Sequence, residues 1–187
     1  MMSPLRLFRA RLGAFAAETR GSVTVEAVIM LPALFWAYCA LYTFFDAYRY
    51  TGAAHKAAFT VSDAMSRETN PINDDYLDTT HELLGFLTRS GNPHRLRVTV
   101  VRYDEQTDDH YVEWSQTRGP ISGITAQDAS DWDDKLPGMV DEERLIVVET
   151  WTDYQPPFNI GLSESTIQTF VFTRPRFAPQ LLYDANA

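Results

Sequence analysis

From Ala27 to Phe45 the chain runs for 19 residues without a charge, and no later stretch approaches that length. At about 1.5 Å per residue such a helix spans about 28 Å, close to the hydrocarbon thickness of a bilayer. Its polar positions are Tyr38, Tyr42 and Thr43, too few to make the water-facing side that a core helix of this length would carry. A removable secretory signal fits no better, because the run ends in the bulky "TFFDAYRY" where cleavage needs small residues. A lipoprotein signal needs small residues before the cysteine, and Tyr38 stands before Cys39. The run reads as a transmembrane segment over residues 22–45.

The helical pattern continues past Phe45. Ala47, Tyr50, Ala54, Ala57, Val61 and Ala64 recur at steps of three and four and draw one apolar stripe, with Arg49, Lys56 and Asp63 off it. This predicts one helix of about 70 Å, half apolar all round and half amphipathic, reaching to Glu68 and broken by Asn70-Pro71. A second helix is predicted over 74–90. Asn73 is its N-cap, Asp74 and Asp75 suit the positive end of its dipole, Leu77, Leu83, Leu84 and Leu87 form its buried face, and Gly91 with Pro93 ends it.

Beyond Pro93 the period changes to two. "RLRVTVVRY" (95–103), "HYVEW" (110–114), "RLIVVETW" (144–151) and "TIQTFVFT" (166–173) read as strands, the first two joined by the polar loop "DEQTDD". Strands in succession without helical crossovers predict an antiparallel sheet whose apolar face needs a cover. The amphipathic half of the long helix, with the second helix beside it, supplies one. The fold class is therefore α+β: a long N-terminal helix packed on a four-stranded antiparallel sheet. Between Thr117 and Glu143 the sequence "TAQDASDWDDKLP" predicts a short helix capped by Thr125.

Charge sets the orientation. Arg6, Arg9, Arg11 and Arg20 precede the apolar run against the single acid Glu18, so residues 1–21 form a basic arm that stays cytoplasmic and residues 46–187 form an exported domain. Of the 25 acids, 24 lie from Glu26 onward, against 12 of the 16 basic residues. That acidity argues against nucleic acid as a partner. Cys39, the sole cysteine, has no partner in the chain and reads as a small packing residue. The exported domain must hold together by packing alone.

A hydrophobic N-terminal helix followed by an antiparallel sheet is the outline of a type IV pilin, and the residues sharpen the likeness. A basic leader ends at Gly21, and Glu26 is the fifth residue after it. The stretch "RGSVTVEAVIMLPALF" resembles the N-terminal motif of the TadE-like family, minor pseudopilins of the Tad (tight adherence, Flp-type) pilus system. The blocks "AAFTVSDAMSRET", "YQPPFN" and "RPRFAPQLLYD" are similar to the continuation of such chains, so the likeness covers most of residues 20–187. Ala27 departs from the Tyr that follows Glu in major Flp pilins. Those are also far smaller, so the resemblance is to a minor subunit.

The resemblance implies that a prepilin peptidase cuts between Gly21 and Ser22, leaving Ser22 with a free amine. A carboxylate in lipid is costly unless paired, and that amine, on the same chain or a neighbour, would pair with Glu26 and set register during assembly. The plainer reading is that Glu26 snorkels to the headgroups near Arg20. Pro32 removes one backbone donor and releases the carbonyl of Val28, which permits a kink within the membrane.

Little in the sequence suggests catalysis. His55, His81, His94 and His110 are not spaced as metal ligands on one helix face, and no Gly-rich phosphate loop or nucleophile elbow is present. "DASDWDD" (128–134) gathers carboxylates, but lacks the turn glycine and distal glutamate of a calcium loop. It reads as a solvated acidic loop. The expectation is a minor pseudopilin of the inner membrane, not an enzyme and without cofactor. Its expected partners are the prepilin peptidase, other Tad pilins and pseudopilins, and the assembly platform in the inner membrane. The rival is a signal-anchored periplasmic binding or sensor domain.

Overall fold

Two helices precede four strands. In the computed structural model, which describes Gly13 and residues 22–89, 91, 93–125, 132 and 134–185, these are α1 (Ser22–Ser66), α2 (Asp74–Thr88), β1 (His94–Asp104), β2 (Asp109–Arg118), β3 (Arg144–Tyr154) and β4 (Ser165–Thr173). The strands form one antiparallel sheet in the order β2-β1-β3-β4. Two hairpins thus lie side by side with β1 and β3 at the centre. The fold is α+β, a long N-terminal helix against a four-stranded antiparallel sheet. The expected leader (1–21) apart from Gly13, the helix capped by Thr125 and most of "DASDWDD" lie outside the described residues.

α1 lies across β3 and β4, and α2 lies beside it toward β1 and β2. Because successive strand residues point to opposite faces, Leu96, Val98, Val100, Ile146 and Val148 meet the helices. There they pack with Ala57, Val61 and Met65 of α1, Leu77 and Leu84 of α2, and Leu181 of the C-terminal tail. Two expectations are corrected here. Ala64 is exposed and Met65 takes its place, since a real turn of about 3.6 residues drifts off a strict 3-4 alternation. Leu83 is 38% exposed, on the rim of the α1–α2 seam instead of inside it.

The opposite face of the sheet is covered as well, which the sequence pattern did not indicate. Val101, Leu145 and Val147 pack under Trp132 and Leu136 of the β2–β3 connection, with Phe170 edge-on to Trp132 at 5.2 Å between ring centres. Between the hairpins, Arg97 and Glu149 face each other in register and pair at 2.6 Å, both mostly buried, with the Arg97 guanidinium 5.1 Å from the ring centre of Trp151. Burial raises the Glu149 carboxyl pKa, and the charge of Arg97 only partly opposes that.

Both ends of α2 are satisfied locally, and the C-terminal end of α1 is satisfied by the distant tail. Asn73 caps α2 by accepting from the Tyr76 N–H at 2.9 Å, and Asp74 and Asp75 occupy its first turn. The chain leaves α2 through Arg89 in a left-handed conformation (φ 51), two residues before the glycine expected to do so. α1 ends at Ser66, two residues short of Glu68, where the Arg176 N–H donates to the Ser66 carbonyl at 2.8 Å. The tail then pairs in parallel with Ile72 at Tyr183. Arg118 ties the end of β2 to Asp74 and Asp78 of α2, and its hydrogen bond holds the Asp74 carboxyl below its ordinary range.

Candidate functional site

The amphipathic half of α1 is built into the domain, whereas the apolar half is bare as far as Tyr38. No residue from Val23 to Tyr38 is buried, and Val28, Leu31, Leu34 and Phe35 are each more than 60% exposed. A core helix hides such residues. Here only 11% of the most apolar eighteen residues of the helix are buried, and the helix is long and apolar enough to cross a membrane. Trp36, Tyr38, Tyr42 and Tyr48 are exposed near its junction with the domain, where amphipathic rings suit a membrane–water interface.

Glu26 is on this bare segment, exposed and one helical turn from Ser22, the first described residue of α1. Among the described residues no hydrogen bond or ion pair reaches it. Pro32 is two turns on, and α1 continues through it as helix. Gly21, the other member of the expected cleavage pair, lies outside the described residues. The structure thus places Ser22, Glu26 and Pro32 on one continuous helix, with Glu26 and Pro32 exposed.

The domain takes hold of α1 at Cys39, seven residues before Asp46. Cys39 is 7% exposed, the packing role expected of it, and Thr43 is fully buried. Tyr154, at the end of β3, directs its hydroxyl to the Thr43 carbonyl at 3.4 Å and donates to Asp46 at 3.2 Å. Asp46 also accepts from Arg49 at 2.8 Å, and the Tyr50 hydroxyl donates to the Asp153 carbonyl at 3.1 Å. Burial, then the negative charge of Asp46, pushes the Tyr154 phenol up to about 12. The first charge after the apolar run is therefore clamped to the sheet. Tyr42 meets Phe158 of the β3–β4 loop edge-on at 6.0 Å between ring centres.

The later sequence blocks converge on this helix. "AAFTVSDAMSRET" covers its C-terminal end, burying Ala57, Ala58, Val61, Ser62, Met65 and Ser66, "YQPPFN" is the loop gripping it at Tyr42 and Thr43, and "RPRFAPQLLYD" caps it at Ser66. Tyr154 and Phe158 entered the sequence analysis only within the block "YQPPFN", with no role assigned to either. Their signal was the uncharged stretch from Gln155 to Ser163, which has no helix or strand period to place it.

No protein-family model, curated protein or solved structure matches this chain. Other chemistry is sparse among the described residues, where no group of three or more His, Cys, Asp or Glu side chains is placed to hold a metal ion. His81 and His94 do come together, with ring centres 4.3 Å apart and each Nε2 3.0 Å from the other's backbone carbonyl. They join α2 to β1 as packing histidines. His94 fills the space beside Gly85, where an added Cβ would lie 2.6 Å from its ring.

Proposed function

We propose that this chain is a minor pseudopilin of a Tad/Flp-type pilus, inserted once in the inner membrane with its N-terminus cytoplasmic and its sheet domain periplasmic. The observation that carries the reading is the bare apolar stretch of α1 from Val23 to Tyr38, continuous with a helix that the domain grips only from Cys39 onward, and bearing the single carboxylate Glu26. An apolar surface of that length needs lipid or other apolar helices around it, and a subunit passing from membrane to fibre would meet both in turn. The spacing of Gly21 and Glu26 and the order of the three later blocks add the family likeness. In this role the chain is a substrate of the prepilin peptidase, cut between Gly21 and Ser22. It then joins other pilins and pseudopilins by lateral packing of its N-terminal helix at the assembly platform and primes or caps the pilus.

N-terminal sequencing of the membrane-extracted protein tests this directly. In a host with an active Tad peptidase the chain should begin at Ser22, and Gly21→Leu should block the cut. Extracted protein that still carries the residues before Ser22 would remove the pilin reading and leave a plain membrane anchor.

A further inference from the structure

We propose that the β3–β4 loop, centred on Phe158, Ile160 and Leu162, is a lipid-seating surface that dips into the leaflet on the side of the folded domain. The inference rests on the reading of α1 as the membrane span. Phe158 packs on Tyr42, which lies four residues inside the apolar run counted from Asp46. Helix geometry therefore puts this loop about 6 Å below the first charge. That is the depth at which apolar side chains of interfacial segments rest at the headgroup–acyl boundary, about 5–10 Å in.

The composition of the domain's two ends supports the same occupant. From Gln155 to Ser163 the loop has no charge, Phe158 is 43% exposed, and Gly161 at φ 98 bends the chain between Ile160 and Leu162. Beside it an apolar groove of about 470 Å³ opens between Leu162 and the Phe44, Ala47 and Tyr48 face of α1. The opposite end of the sheet gathers Asp104, Glu105, Asp108 and Asp109 of the β1–β2 turn next to Asp141, an acidic surplus beyond Glu142 and Glu143, which pair with Arg102 and Arg174. An anionic leaflet repels that acidic surplus and accepts the uncharged loop. The bilayer then orients the domain through two attachments, α1 and the loop.

The test uses the full chain in vesicles of phosphatidylcholine and phosphatidylglycerol. Single spin labels are placed through Ile29→Cys, Phe158→Cys and Gln106→Cys in a Cys39→Ser background, and collisions with oxygen and with a water-soluble nickel chelate are compared. The label at 29 should favour oxygen strongly, the label at 158 should be intermediate and sheltered from the chelate, and the label at 106 should favour the chelate. Leu162→Cys reports the same loop if Phe158→Cys fails to fold, and chains that keep the buried Cys39 supply a second background. A label at 158 or 162 as open to the chelate as that at 106, with 29 in lipid, overturns the seating and leaves the anchor standing. A label at 29 in water overturns both.

Discussion

Tyr154, the last residue of β3, donates a hydrogen bond at 3.2 Å to Asp46, the first charged residue after the apolar run of α1. The pair fixes where a membrane-length helix enters a folded domain. Replacing Tyr154 with Phe keeps the ring and removes the bond, which should cost about 1 kcal/mol. Because the phenol is raised on folding from 10.0 to about 12, the stability it provides is complete below about pH 10 and is lost as pH rises through about 12. Denaturant unfolding of both proteins across that range should show a steeper alkaline decline in wild type than in Tyr154→Phe. Parallel declines would mean that the Tyr154 hydroxyl has no role in the clamp.

The Arg97–Glu149 pair yields a different kind of prediction. Arg97→Met leaves a buried carboxylate alone and should cost about 3–5 kcal/mol, whereas the double change Arg97→Met, Glu149→Leu should recover most of that loss. The carboxyl is raised on folding despite its partner, so its contribution is complete below the unfolded value near 4.5 and falls as pH rises through the folded value. Measured against Glu149→Gln, wild-type stability should therefore decline from acid toward neutral pH. If the gap instead widens in favour of wild type, pairing outweighs desolvation at this site.

Neither of these two sites is disclosed by the sequence, although most of the elements that carry them are. Periodicity located α2, the amphipathic half of α1 and the strand β2, while β1, β3 and β4 were located by runs rich in Val, Ile, Thr and aromatic residues. Asn73, with Asp74 and Asp75 after it, marked a helix start for a local electrostatic reason that needs no tertiary context. The Arg97–Glu149 pair was hidden because register between β1 and β3 is set by the packing of both sheet faces. Trp132 and Leu136 gave no period because they cover the sheet from an irregular connection. Of the candidate site, the bare helix, Glu26 and Pro32 were legible as composition. The grip of Tyr154 and Phe158 on residues 42–46 was not, since more than a hundred residues separate the partners.

The buried stripe of α1 predicts which piece of the chain folds. Ala54, Ala57, Ala58, Val61 and Met65 close the helix face of the sheet, so a chain starting at Asp46 should melt cooperatively. One starting at Thr69 should not. Exposing Val98, Val100, Ile146 and Val148 to water would cost about 6–12 kcal/mol at roughly 1.5–3 kcal/mol per side chain, comparable with the roughly 5–15 kcal/mol by which a typical domain is stable. A cooperative transition from the shorter chain, followed by circular dichroism, would show that the sheet is stable without its helix.

Glu26 is the residue on which the proposed role turns. It is exposed on a helix segment with no other charge, and among the described residues nothing neutralises it. If the amine created at Ser22 is its partner, Glu26→Gln should leave insertion and cleavage nearly intact, because a neutral amide is no harder to place in lipid than a carboxylate. Assembly should nevertheless fail, since the amide offers no charge to the amine. If the carboxylate only snorkels to the headgroups, the change removes an interfacial charge worth under about 1 kcal/mol, and piliation should survive. Surface pilus yield and the cleaved fraction, measured together in the Glu26→Gln strain, separate the two cases. Normal cleavage with no pili assigns Glu26 to assembly, and normal cleavage with wild-type pili reduces it to a boundary residue of the anchor.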